Sequence, residues 1–279
     1  LIARDLTDKV FRKRINPAIT IPAGILGGVL IAFASIQWEQ SLINEVYAFN
    51  TTLILLSVYF LTKSFREPGD NYYFGRYRLL GFYIAGIAFT NHLSSVVLLV
   101  PMAFLSYPLL FGKSRNIKLL IEQAVSFILP LSLYLYLPIR ASHNPIMNWG
   151  NPVNWHNFRS HVTGWQYNVW MFNQSAEQLT AKITDAASTL LFQFGYIAFP
   201  LFLAGLVYLF RANRNLFYLF VSMILLNILY TVNYDIPDIH SYYLPSIAVL
   251  AILAIIGIYY LVSITGQGNI LKKRLLPMP

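Results

Sequence analysis

Long apolar blocks alternate along this chain with short polar turns that are rich in basic or aromatic residues. Crossing the hydrocarbon core of a bilayer takes about 20 mostly apolar residues. The blocks Ala18–Ile36, Val46–Leu61, Leu119–Leu137, Ser188–Phe210, Leu216–Val232 and Leu244–Ile264 are of that order. A further apolar region, Leu79–Phe111, is too long for one crossing and is interrupted by Thr90-Asn91-His92 and by Pro101. It predicts two shorter helices joined by a polar turn. The pattern predicts an all-α fold, a polytopic transmembrane helix bundle of about 7–8 membrane segments. Residues 1–279 read as a single transmembrane domain, with 138–185 as an extracytoplasmic, aromatic-rich loop.

Composition narrows the class. The 279 residues are 57% hydrophobic and only 11% charged, against roughly 25% charged in soluble domains. So few charges cannot cover a globule with polar surface, which excludes a conventional soluble enzyme and a disordered chain. The net charge of +9 fits basic cytoplasmic loops and calls for no nucleic-acid partner. The absence of cysteine excludes disulfides, thiolate metal sites and a cysteine nucleophile. The first residue is Leu1 rather than Met, so a fragment or processed product is expected.

The basic residues set the orientation. Arg4 to Arg14, Lys63 to Arg78, Lys113 to Lys118, Arg211 with Arg214, and Lys272 to Arg274 all fall on one side when the spans alternate. Only Arg140, Arg159 and Lys182 of the 20 fall on the other. The positive-inside rule then makes the topology N-in and C-in. Glu39, Glu45, Glu177, Asp185, Asp235, Asp238 and all five histidines lie on the outer side. The active face is therefore expected to be extracytoplasmic. The long outer loop carries Trp149, Trp155, Trp165 and Trp170, and such residues favour the headgroup level. Ser175, with Gln178 three residues on, predicts a capped helix over Ser175–Leu191.

Four outer clusters carry candidate chemistry. Around Trp38-Glu39 to Tyr47, Glu45 sits at the membrane boundary, either as a functional carboxylate or as a favourable charge at a helix start. The turn Asn91-His92 at membrane depth is tolerated only where it is buried in protein or lines a cavity; His92 can bond a phosphate or hydroxyl, or plug the freed backbone. Arg140 is the only basic residue at the outer mouth of its span, where a guanidinium clamps a phosphate in bidentate fashion or snorkels to headgroups. It leads into Asn148, Trp149, His161, Gln166 and Tyr167. The fourth cluster is Tyr234-Asp235, Asp238 and His240, a structured turn because Pro237 separates the carboxylates. One turn supplies too few ligands for a metal, and none is expected. Asn50-Thr51-Thr52 and Asn173-Gln174-Ser175 are formal glycosylation sequons, only the second of them in a loop. No HExxH, P-loop, dinucleotide or G-x-S-x-G fingerprint is present.

The order of Glu45-Val46-Tyr47-Ala48, Asn91-His92-Leu93, Tyr136-Leu137-Pro138-Ile139-Arg140-Ala141, Asn148-Trp149-Gly150, Asn233-Tyr234-Asp235 and Tyr243-Leu244-Pro245 resembles the membrane part of the transmembrane-protein-260-like family (domain of unknown function 2723). That family is similar to protein O-mannosyltransferases of the GT-C architecture. The resemblance implies a membrane glycosyltransferase that moves a sugar, mannose by analogy, from a polyprenyl- or dolichyl-phosphate donor to a protein hydroxyl outside the cytoplasm. It implies no tightly bound cofactor. The partners are the bilayer, the lipid-phosphate sugar and a protein acceptor; the membrane is the bacterial inner membrane, or the endoplasmic reticulum in a eukaryote. The family's acidic Asp-x-Gly-Glu-type motif and His-Pro-Pro-Gly-type stretch do not occur here, nor does the soluble C-terminal region of some members. The motif order puts Leu1 just before the third span, so N-terminal truncation is expected.

The expected roles follow. Arg140 and His92 contact donor phosphate. Asn91, Asn148, Trp149, His161, Gln166 and Tyr167 line a groove. Tyr234, Asp238 and His240 hold sugar or acceptor, and Glu45 and Asp235 are the candidate catalytic carboxylates. Two other classes stay open: a transporter or flippase of lipid-linked intermediates, which needs a polar path to the cytoplasm, and a non-catalytic membrane scaffold.

Overall fold

The computed structural model describes residues 17–64, 71–112 and 115–274. Among them there is no strand; the chain is a bundle of helices. Arg4 to Arg14, Arg66 and Lys113 of the basic groups lie outside the described residues.

The first apolar block is α1 (Pro17–Ala32) followed by α2 (Ser35–Leu42). The two meet at a bend of 64°, so Ala18–Ile36 is not one straight helix. Next, α3 (Tyr47–Lys63) runs antiparallel to α4 (Asn71–Asn91). Their packing is sealed by the Ser57 hydroxyl donating to the Gly81 carbonyl at 2.9 Å. The break predicted in Leu79–Phe111 falls at His92, after which a 3-10 turn (Leu93–Leu98) leads into α5 (Leu99–Phe111). The first partner is longer than predicted. At 21 residues, α4 is about 31 Å long. Pro101 does not interrupt, because it falls in the first turn of α5 where its missing N–H costs nothing.

The following block is α6 (Ile117–Leu131), continued by a 3-10 turn (Ser132–Leu135) into α7 (Tyr136–Ala141). A short α8 (Trp155–Val162), a 3-10 turn (Trp165–Trp170) and α9 (Ala176–Phe192) occupy the long loop. The capping box at α9 forms: Ser175 Oγ accepts from Gln178 N at 3.2 Å, and Gln178 Oε1 accepts from Ser175 N at 2.9 Å. The block Ser188–Phe210 is not one span. Its first residues complete α9, the chain turns at Gly195 (φ 67°), and α10 (Phe199–Ala212) starts afresh. The last two helices are α11 (Arg214–Val232) and, after a 3-10 turn (Ile239–Tyr243), α12 (Leu244–Arg274).

Four of these stretches are long and apolar enough to cross a membrane: Leu93–Phe111, Ile117–Ala141, Arg214–Val232 and Ile239–Val262, with the bent α1–α2 pair as a fifth. The chain is an integral membrane protein of the all-α, polytopic class. Counting seven to eight segments additionally requires α3, α4 and the short α10.

Burial separates a central helix from peripheral ones. The stretch Ile239–Val262 is 72% buried inside the bundle, whereas Ile117–Ala141 is 11% buried and turns Ile121, Ile128 and Leu133 outward. An apolar helix so little covered by protein is suited to face lipid. The main core joins Ile54 and Leu61 of α3, Phe82 of α4, Leu98, Leu209, Phe220, Met223 and Leu253. A second core at one end joins Ile36, Ala186, Leu190, Val232, Tyr243 and Ile247, which seats α2 and α9 against α11 and α12.

The α10–α12 crossing depends on two glycines. A Cβ at Gly205 would collide with the Leu253 carbonyl, and one at Gly257 with the Leu201 carbonyl. Two backbones can approach this closely only without side chains between them. We expect Gly205→Val to lower the detergent-solubilised melting temperature by several degrees, from an overpacking cost of about 1–3 kcal/mol. Gly24→Ala, where nothing lies within 4 Å of the added carbon, serves as the control and should leave it unchanged. Equal melting of Gly205→Val and wild type would refute this packing.

Candidate functional site

The polar break after α4 is held by one buried amide. Asn50, 2% exposed, donates from Nδ2 to Ser94 Oγ at 3.1 Å and accepts at Oδ1 from Ser95 Oγ at 3.0 Å and Asn91 Nδ2 at 3.2 Å. Asn91 also donates to the Val46 carbonyl at 3.3 Å. An amide in an apolar span is costly unless fully paired, and this network pairs it. Asn50 is therefore no glycosylation acceptor: its formal sequon is sealed inside α3. Asn91, expected in a substrate groove, is engaged in tying α4 to α3.

His92 follows at the break. Its Nδ1 lies 2.9 Å from Ser94 Oγ and accepts from Ser94 N at 3.2 Å. Because Nδ1 accepts from the Ser94 N–H, the hydroxyl proton of Ser94 points to the imidazole as well. Nδ1 is thus an acceptor, and the ring proton belongs on Nε2. The ring stands edge-on between Tyr47 and Tyr242, 5.0 Å from each centroid. Burial pushes the imidazole down to about 4, against the opposing pull of the Asp238 carboxylate. His92 is accordingly a neutral Nε2–H donor at ordinary pH.

Three elements meet around it. Tyr47 Oη donates to Asp238 Oδ2 at 2.9 Å. Tyr242, 7% exposed, packs against Tyr47 and Tyr234 at 5.5 Å each and against Tyr230 at 6.0 Å. Its backbone is fixed from below, where Asn227 Nδ2 donates to the Tyr242 carbonyl at 3.0 Å and Ser246 Oγ donates to Asn227 Oδ1 at 2.6 Å. Burial raises the Tyr234 phenol above its ordinary value.

The long loop is bound to this end of the bundle. Asp235 N donates to the Trp170 carbonyl at 3.0 Å, and Phe172 N to the Asn233 carbonyl at 2.9 Å, while Met171 and Tyr234 form an isolated bridge. From α9, Lys182 Nζ meets Asp235 Oδ1 at 2.6 Å and the Tyr234 carbonyl at 3.3 Å. Gly164, at φ 60°, sits where a Cβ would lie 3.1 Å from Leu93 Cδ1, which brings the 3-10 turn over the break. Tyr167 stacks near Trp170 at 5.9 Å.

The remaining expected residues take separate positions. The Arg140 guanidinium is exposed near the end of α7, with no hydrogen bond or ion pair to it among the described residues. Asn148 Nδ2 donates to Asn151 Oδ1 at 3.0 Å, and Trp149 is 71% exposed. His161 Nδ1 is buried without a partner; a Cβ at Gly150 would lie 2.9 Å from it. Gln166 is half-buried and Glu45 is exposed in the turn before α3. His240 is exposed, its ring 6.1 Å from Tyr243.

Beside the aromatic cluster opens a cleft of about 510 Å³ between α2, the end of α9 and the turn that carries Asp238 and His240. Glu39 and Gln40 line it, neither of them among the expected site residues. No three His, Asp or Glu side chains among the described residues converge as a metal ion would require. Lys63, Lys118, Arg211 and Arg214 belong to the helix ends that point away from this region.

The fold and site define a polytopic α-helical membrane protein with an aromatic and polar centre at one end of its bundle. Residues 1–116 match the model of the Protein O-mannosyl-transferase TMEM260 N-terminal domain. The Protein O-mannosyl-transferase tmem260 of Dictyostelium discoideum is 28% identical over 200 residues, 66% of this chain and 24% of that protein. The Protein O-mannosyl-transferase TMEM260 of Mus musculus is 24% identical over 264 residues, 88% of this chain and 37% of that protein. These matches establish the resemblance to the transmembrane-protein-260-like family that the motif order indicated. The chain spans about a quarter to a third of the length of these curated relatives. No solved structure matches it.

The His92 network has a pH signature. Between about pH 6.5 and 4 the unfolded chain binds the histidine proton and the folded chain does not, so stability falls as pH is lowered through that window. His92→Asn, which retains a capping oxygen, should remove one proton from this dependence. Melting temperature against pH for both proteins checks it; identical slopes would refute a neutral, buried His92.

Proposed function

We propose that this chain is part of a membrane O-mannosyltransferase that takes mannose from a polyprenyl-phosphate donor and transfers it to a protein hydroxyl on the extracytoplasmic face. The observation that carries the reading is the convergence of His92, Asp238, Tyr47, Tyr234 and Tyr242 at one end of the bundle. The names of the relatives supply the sugar and the acceptor class. A lipid-linked donor accounts for placing such a centre at a membrane surface.

In this reading the anomeric carbon–phosphate oxygen bond breaks as the acceptor oxygen bonds to that carbon, and the polyprenyl phosphate departs. The leaving phosphate needs cationic or N–H donors. Arg140 supplies an unengaged guanidinium, and His92 supplies a neutral Nε2–H. The acceptor proton needs a carboxylate. Glu45 is exposed in its turn. Asp235 is paired with Lys182 at 2.6 Å, so its carboxylate is already engaged. Asn148, Trp149, His161, Gln166 and Tyr167 are assigned to the groove for donor or acceptor. Tyr234, Asp238 and His240 hold sugar or acceptor from the opposite side, and Asn91 acts by shaping the break.

The test uses the full-length protein in nanodiscs. Arg140→Ala should weaken polyprenyl-phosphate binding at least tenfold and reduce mannosyl transfer to an acceptor peptide by a similar or larger factor. Unchanged affinity for polyprenyl phosphate would remove Arg140 from the donor site. Absence of transfer by the wild-type protein with mannosyl-phosphoryl-polyprenol would overturn the transferase reading.

A further inference from the structure

The cleft beside the aromatic cluster has a composition that the donor-phosphate assignment does not use. Two carboxylates, Glu39 from α2 and Asp238 from the turn before α12, line it. Gln40 lines it too and is 9% exposed, yet its Oε1 is buried with no hydrogen-bond partner. Phe192 and Tyr196 line it as well and are 67% and 69% exposed. His240 completes the rim.

The chemistry of these groups excludes some occupants. An anion meets two carboxylates and no Lys or Arg in the lining, so a phosphate is repelled. A divalent cation needs three or more converging ligands, and the described residues offer no such group. A wholly apolar ligand would leave the Gln40 carbonyl unpaired, which is the state that costs most. The lining instead asks for a neutral ligand with several O–H donors on its edge and C–H bonds on its face. Acceptor oxygens take the hydroxyls, and the electron-rich ring faces take the C–H bonds. The volume of about 510 Å³ falls within the ~300–1,000 Å³ of small-ligand sites.

We infer that this cleft is a saccharide subsite, in which Glu39, Gln40 and Asp238 accept hydroxyl protons from a hexose-sized polyol seated on Phe192 and Tyr196. The inference deepens the transferase reading and depends on it only for where the sugar comes from. Asp238 then has two duties, since the carboxylate that accepts from Tyr47 at 2.9 Å also borders the cleft. That contact links saccharide binding to the His92 side of the centre. Two sources share the same chemistry: the sugar of the lipid-linked donor, and a sugar already carried by the acceptor.

Saturation-transfer NMR and titration calorimetry on the full-length protein in nanodiscs test it. The probes are methyl α-mannoside, mannosyl-phosphoryl-polyprenol, polyprenyl phosphate alone and an O-mannosylated serine peptide. Gln40→Leu and Phe192→Ala should each weaken methyl α-mannoside binding at least tenfold and leave polyprenyl phosphate unchanged. Gln40→Leu should not lower the melting temperature, because it replaces an unpaired buried carbonyl with an apolar group of similar size; a merely structural Gln40 would lower it. Matching loss of the lipid-linked mannose assigns the subsite to the donor sugar, and matching loss of the mannosyl peptide assigns it to the acceptor. Unaltered saccharide binding in both variants, or no saccharide binding by the wild type, overturns the subsite while polyprenyl-phosphate binding still supports the transferase reading. Wild-type binding of free mannoside without either polyprenyl probe keeps the subsite and sinks that reading instead.

Discussion

Asn50 is buried near the start of a largely apolar helix, and three partners from the break after α4 converge on its single amide. In a bilayer, an interrupted helix frees backbone groups that no water can satisfy. Here the serines and asparagine around the interruption are satisfied by one another through Asn50. The polar end of the bundle depends on that arrangement. It lets α4 stop and α5 begin at one end of the bundle, it orients Ser94 toward His92, and it fixes α3 so that Tyr47, one turn before Asn50, reaches Asp238. Removing the amide would strand several buried groups at about 1–3 kcal/mol each.

The same logic explains why the centre is aromatic. Tyr242 and Tyr243 begin the most buried helix of the molecule, and the Asn227–Ser246 pair sets the height of that helix start. Tyrosines fill the space with apolar rings while keeping one polar atom each for the edge. A neutral histidine suits such surroundings better than an imidazolium. Charge is kept to the margins, and it is sorted. Arg140 lies on the side of the long loop, and Glu39 and Asp238 lie around the cleft. In the reaction proposed above, a donor phosphate and a sugar ring would make opposite demands on their surroundings, and this division would offer each a separate place.

The family resemblance reaches both sides of this centre unequally. The matched N-terminal model covers residues 1–116, which include Glu39, Gln40, Asn50, Asn91 and His92 but not the turn with Asp238 or the long loop. The physical coupling between the two sides runs through side chains: Tyr47 to Asp238, His92 to Tyr242, Leu93 beneath Gly164. It is this coupling that makes the separate clusters of the chain one centre.

Much of the fold was legible because hydrophobic length and polar interruption are local properties. The apolar blocks predicted the helices, Thr90-Asn91-His92 marked the break, Ser175 and Gln178 predicted the start of α9, and Pro237 marked a turn. Other features were not local. Ser188–Phe210 reads as one span, in competition with the capped helix predicted over Ser175–Leu191; the packing of Ala186 and Leu190 in the second core gives its first residues to α9. Asn50 presents a formal sequon, although an asparagine deep in an apolar run was itself a signal that a partner awaited it. Glu39 and Gln40 carried no mark to set them apart from Glu45, because which carboxylate borders a cleft depends on the bend between α1 and α2 and on the placement of α9. Sequence by itself determined a polytopic helical membrane protein with its varied chemistry at one set of turns, since transfer free energy acts on each segment independently. Which of those turns meet, and which residue lining a cleft keeps a buried amide oxygen without a partner, was decided by helix packing, where contacts between residues distant in the chain set the outcome.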